Sequence, residues 1–89
     1  MNRIEAIRER LNSQLQPAQL DIIDESHLHA GHAGAASGAG HFSVTIIADA
    51  FNGKSLIERH RLVYLAVDDL MKTEIHALSI KAIAADENT

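Results

Sequence analysis

The chain has 89 residues, 46% of them apolar and 22% charged, with no cysteine and a formal net charge of −4. That size holds one domain, spanning 1–89, and the balance is that of a globular chain rather than a disordered one. The missing cysteine excludes disulfides, a thiol nucleophile and any zinc or cluster site made from the chain's own thiolates, while the negative charge excludes the broad positive field behind non-specific phosphate binding.

The first residues, Met1 to Ile7, alternate charged and apolar side chains and match neither a signal nor a transit peptide. No apolar run approaches the roughly 20 residues of a membrane span, so the expected compartment is the cytoplasm, with no membrane partner. Residues 2–15 read as a helix: Asn2 can cap it, Glu5 stands where a capping-box acid belongs, and Ile4, Ile7, Leu11 and Leu15 form one apolar stripe. Pro17 ends it. Leu20 to Glu25 reads as a short strand, with Leu20 and Ile22 on one face and Ile23 on the other.

Ser26 to Gly40 is a long loop of small residues, holding four of the five glycines and three of the six histidines. His41 to Asp49 is the clearest strand, with Phe42, Val44, Ile46 and Ala48 on one face and Ser43, Thr45 and Ile47 on the other. Phe51 to Lys54 reads as a turn. Ser55 to Met71 reads as helical, with a division into a shorter and a longer helix expected near Arg59 and a buried face of Leu56, Val63, Val67 and Leu70. Ile75 to Ile83 alternates again, placing His76, Leu78, Ile80 and Ala82 on one side. The tail from Ala84 is expected to fray.

The order α-β-β-α(α)-β makes the first two strands antiparallel, and a right-handed crossover makes the last two parallel. The fold class is therefore α+β, a three-stranded mixed sheet with helices on one face. In that topology the glycine-rich loop and the starts of strands two and three share one end of the sheet. His27, His29, His32, His41 and His76 gather there.

Neutral imidazole is a common ligand for borderline metals. Each histidine alone is more often solvated or structural, and H-x-H-x-x-H is no closed zinc module. The shared sheet end singles out His29 and His76. His60 falls on the apolar stripe of the helix with Leu56, Val63 and Val67 and is assigned to packing. Lys54, Arg59 and Arg61 make a local basic cluster on a helix-turn-helix-like element, which could dock on DNA, although the net charge argues for a weak association. Asp68 with Asp69 and Asp24 with Glu25 are adjacent in sequence and do not converge as acid–base pairs. No nucleophile triad, phosphate loop or dinucleotide fingerprint is present, so no enzyme activity is expected.

Five blocks in order resemble one family: Asp24-Glu25-Ser26; His41-Phe42; Phe51 with Gly53-Lys54-Ser55; Arg59-His60-Arg61-Leu62-Val63-Tyr64; and Ile75-His76-Ala77-Leu78. Together they are similar to the BolA-like proteins, over nearly the whole chain. The resemblance implies an α-β-β-α-α-β fold related to the type II KH domain. It also implies pairing with a monothiol glutaredoxin of the Cys-Gly-Phe-Ser type. In such a pair a 2Fe-2S cluster is bridged by thiolates from the glutaredoxin and its glutathione. The BolA-like partner adds a histidine at the start of strand three and a His or Cys from the loop. Those positions are His76 and His29 here, with His27 or His32 as substitutes, and no cluster is expected in the isolated chain. The function so implied is that of an adaptor in iron–sulfur cluster handling or iron regulation. Some members of the family are described as transcription regulators, the alternative reading, with Lys54, Arg59 and Arg61 as the contacts. KH domains grip nucleic acid with G-x-x-G, and Gly53-Lys54-Ser55-Leu56 lacks the second glycine. A stand-alone metal-dependent hydrolase ranks last, because no general base is visible.

Overall fold

A helix α1 (Arg3–Leu15) opens the fold, and its first turn is set by Asn2, whose side chain accepts the Glu5 N–H at 2.8 Å. The computed structural model describes residues 2–25 and 40–87. The stripe on α1 is the expected one: Ile7 and Leu11 are fully buried, and Ile4 and Leu15 pack beside them. Gln16 closes the helix in the left-handed region (φ 46°), its N–H donating to the Asn12 carbonyl, and Pro17 bars continuation.

Three strands follow, β1 (Gln19–Asp24), β2 (Gly40–Ala48) and β3 (Ile75–Ala84), in the sheet order β1-β2-β3. β1 runs antiparallel to β2, with Asp24 opposite Phe42, and β3 runs parallel to β2, with Phe42 opposite Leu78. β2 is therefore central. Its alternation is clear because the helices cover one face of the sheet, and Phe42, Val44, Ile46 and Ala48 on that face are all buried. Leu20 and Ile22 turn to the same core while Ile23 remains 59% exposed on the other face.

The chain leaves β2 through a 3-10 turn (Asp49–Phe51) and a reversal in which Gly53 takes φ +74°, a conformation that favours glycine. Helix α2 (Leu56–Ala66) then starts on a reciprocal capping box: Ser55 Oγ accepts the Glu58 N–H and the Glu58 carboxylate accepts the Ser55 N–H. That cap stabilises the first turn, so the helix does not divide near Arg59. The break falls at Val67, whose φ and ψ (−110°, 17°) leave the helical region before the short α3 (Asp68–Met71).

The inward row keeps the expected Val63, Val67 and Leu70 and differs from the expected one only at its start. Arg59, Val63 and Ala66 point inward and Val67 and Leu70 continue the row, whereas Leu56 is 67% exposed. His60 consequently lies at the flank of the buried row and is only half-buried. The core is one cluster in which the α1 and α2 rows close over the inner face of the sheet. Arg10 pairs with Asp69 at 2.9 Å, tying α1 to α3, and this pairing raises Arg10 and lowers Asp69 from their usual ranges.

Candidate functional site

The end of the sheet where β1 stops and β2 and β3 start is built around a break in register. Gly40 pairs with Ile75, but the next residue of β2, His41, pairs with Ala77. β3 thus carries one residue more than β2 across this step, and the residue left over is His76. Such a bulge changes which way a side chain is aimed. Strict alternation puts His76 on the inner side with Leu78, Ile80 and Ala82; the extra residue instead leaves Ile75 buried and His76 exposed.

The backbone around the bulge is held on both sides. The Gly40 N–H donates to the Glu74 carbonyl at 3.1 Å, and the Glu25 N–H donates to the His41 carbonyl at 2.8 Å. The Arg3 guanidinium pairs with the Glu74 carboxylate at 2.8 Å, linking the first turn of α1 to the residue before β3. Ser43 donates its hydroxyl proton to the Glu25 carboxylate on the outer face. His41 lies on that face too, opposite the buried Phe42. The His41 and His76 rings come together with centroids 5.0 Å apart and planes tilted by 48°. This pair is what sequence reading missed. The topology alone puts both residues at one end of the sheet, but only the bulge, which has no sequence signature, brings the rings to one face.

His29, His27 and His32 lie outside the described residues. Among the described residues no three His, Cys, Asp or Glu side chains gather closely enough to hold a metal ion. No helix of the described residues is long and apolar enough to cross a membrane.

The family model for BolA-like proteins matches residues 11–87. The chain belongs to the BolA-like family. It is 48% identical over 81 residues to SufE-like protein 1, chloroplastic/mitochondrial, of Arabidopsis thaliana, covering 85% of this chain and 22% of that protein. The solved structure of the BolA domain of that SufE1 superposes with a TM-score of 0.85 at 44% identity, covering 98% of this chain and 96% of the domain. Arabidopsis BOLA1, chloroplastic, is 41% identical over 90 residues, covering 98% of this chain and 56% of that protein. The DNA-binding transcriptional regulator BolA of Escherichia coli is 35% identical over 83 residues, covering 93% of this chain and 76% of that one. This BolA-like chain therefore spans about a fifth of the first of these relatives and little over half of the second.

In this BolA-like chain the three basic residues of the helix-turn-helix-like element do not act alike. Lys54, just before α2, and Arg61, midway along it, are exposed, but Arg59 is 9% exposed. Its Nε donates to the Lys54 carbonyl at 3.0 Å, and its Nη1 donates to the Ala82 carbonyl at 3.2 Å and pairs with the Glu87 carboxylate at 2.8 Å. With Tyr64, whose hydroxyl donates to the Leu78 carbonyl at 3.3 Å, Arg59 covers polar groups along the outer edge of β3. It also holds the start of the tail, which as far as Glu87 forms a 3-10 turn (Ala85–Glu87) where fraying is expected from the sequence; residues 88–89 lie outside the described residues. The guanidinium is thereby turned into the fold.

Arg59→Ala should destabilise the fold by about 2–3 kcal/mol in urea unfolding, because buried carbonyls lose a charged donor. Arg61→Ala should change stability by less than about 0.5 kcal/mol. Arg59 also holds the Glu87 carboxyl below the usual glutamate range, with the Ala84 N–H assisting. A lowered folded-state value adds stability above the unfolded-state value and loses it as pH falls through the folded one. The wild type should therefore lose this contribution below about pH 4–5, and the acid limb of Arg59→Ala should be flatter.

Proposed function

We propose that this BolA-like chain is a non-catalytic cytoplasmic adaptor. It pairs with a monothiol glutaredoxin of the Cys-Gly-Phe-Ser type and contributes imidazole to a shared 2Fe-2S cluster. The observation that carries this reading is the bulge that sets His76 on the open face of the sheet beside His41. The donor set fits a shared group. The chain has no thiolate to offer, so it would supply neutral imidazole, and the sulfur ligands would come from the partner and its glutathione. His76 is the ligand fixed by the sheet, and His29 the second, with His27 or His32 as substitutes. When bound, the cluster supplies one-electron redox chemistry or is passed on as cargo. The protein's part is to present His76, to order the second histidine, and to offer a surface to the partner. The names of two relatives place them in chloroplasts or mitochondria, so the cytoplasmic assignment rests on the sequence alone.

The test is to mix the chain with cluster-loaded monothiol glutaredoxin and record visible absorption and circular dichroism. A spectrum distinct from that of the glutaredoxin alone supports the reading, and an unchanged spectrum removes it.

The similarity to the E. coli DNA-binding regulator favours a second reading, DNA binding through the start of α2. With Arg59 engaged inside the fold, the exposed cations left to this reading are Lys54 and Arg61. If DNA were the main partner, replacing each with alanine would lower the log–log salt slope of binding by about one. We expect instead weak binding that is lost by physiological salt. A tight, sequence-selective complex that tolerates His76→Ala would exchange the two readings.

A further inference from the structure

The two histidines at the bulge are not equivalent. His76 is exposed and sits on an edge strand, at the one residue that the ladder leaves over. An exposed imidazole in such a place has several open rotamers, and a ligand atom must be held to a fraction of an ångström. His41 is on the central strand, half-buried, with its carbonyl bonded to Glu25 and its neighbour Phe42 anchored in the core. Its ring is therefore the better fixed of the two. A centroid separation of 5.0 Å with a 48° tilt is within the range in which flat rings make a defined contact.

We infer that His41 is a positioning residue: its ring is the wall that sets the rotamer of His76 before any partner arrives. A flat ring suits this task, since it restricts a neighbouring imidazole from one side and leaves the opposite edge open. The role is in addition to the ligand assignment of His76 and rests on that reading. It also gives the bulge a purpose, because without the extra residue His76 would face the core and could not meet the His41 ring.

The test uses the isolated full chain and three variants, His41→Phe, His41→Ala and His76→Ala. In the isolated chain, NMR couplings and ring-to-ring nuclear Overhauser effects report the His76 rotamer with no cluster present. A single His76 rotamer is expected in the wild type and His41→Phe, and rotamer averaging in His41→Ala. Titration with cluster-loaded monothiol glutaredoxin, followed by visible circular dichroism, should show His41→Phe within about twofold of the wild type. His41→Ala should be about 10-fold weaker, the usual loss when a supporting group behind a ligand is removed. The inference is overturned if His41→Ala leaves the rotamer fixed, or if His41→Phe loses as much as His41→Ala, which would locate the effect in the ring nitrogens. His76→Ala separates the two levels. If it abolishes the mixed spectrum while His41→Ala changes nothing, the positioning role falls and the ligand reading stands. If His76→Ala leaves the spectrum intact, the ligand reading itself falls.

Discussion

Replacing His76 with alanine is expected to abolish the spectral difference between the mixed complex and the glutaredoxin's own cluster, while the apo proteins still associate. Exchanging a thiolate for neutral imidazole removes negative charge from a cluster, and histidine ligation raises its reduction potential. Both changes are carried by the ligand atom, so they vanish with it. The control is built into the fold. His76 is exposed, so its truncation opens no cavity in the core, and an unchanged urea midpoint of the variant separates lost signal from unfolding. His29→Ala should weaken the signal only in part, because His27 and His32 are two and three residues away and can substitute. The measurement is the visible absorption and circular dichroism of each mixed complex. An unchanged spectrum and an unchanged cluster lifetime in His76→Ala would show that His76 is only a strand-end residue.

Strand order and orientation were legible in the sequence because period-two alternation in 41–49 and 75–83 and a helix between them leave few topologies. That the histidines of the loop and of two strand starts share one end of the sheet followed from the same topology. Other features were not legible, because hydrophobicity marks faces but neither local register nor long-range side-chain contacts. In α2, Leu56 looks like part of the buried row, yet the row runs through Arg59, since a long side chain can bury its stem and find carbonyls at its tip. His60, which reads as a core residue, is half-buried at the flank of that row. At His76, one extra residue in β3 reverses the face, and alternation alone carries no sign of it. The tail is polar, as frayed tails are, but Glu87 meets a buried arginine, a contact between residues 28 apart in sequence.

Phe51→Ala should destabilise the fold by about 3–5 kcal/mol in equilibrium urea unfolding, one of the largest effects expected from any single substitution here. In sequence Phe51 reads as the first residue of a turn. In the fold it is fully buried in the core, in a 3-10 turn that packs against β3, while its carbonyl accepts the Lys54 N–H at 3.0 Å. Aromatic side chains bury more area than any others, and this chain has only Phe42, Phe51 and Tyr64. Aliphatic neighbours cannot fill the cavity without moving the 3-10 turn that starts the crossover to α2. A small domain holds a total stability of about 5–15 kcal/mol, so the variant loses a large share of it and is best kept folded near the stability maximum, about 10–20 °C, or with stabilising osmolyte. Its position makes it informative about the site as well. From His41 to Ala48 the central strand extends roughly 23 Å at about 3.3 Å per residue, so Phe51 is at the opposite end from the bulge. Effects of changes more than about 10 Å apart are usually independent. Under conditions where Phe51→Ala is folded, the His41–His76 ring contact and the mixed-complex spectrum should match the wild type. If the spectrum is lost while the fold persists, the two ends of the sheet are coupled and the local account of the site given by the bulge is wrong.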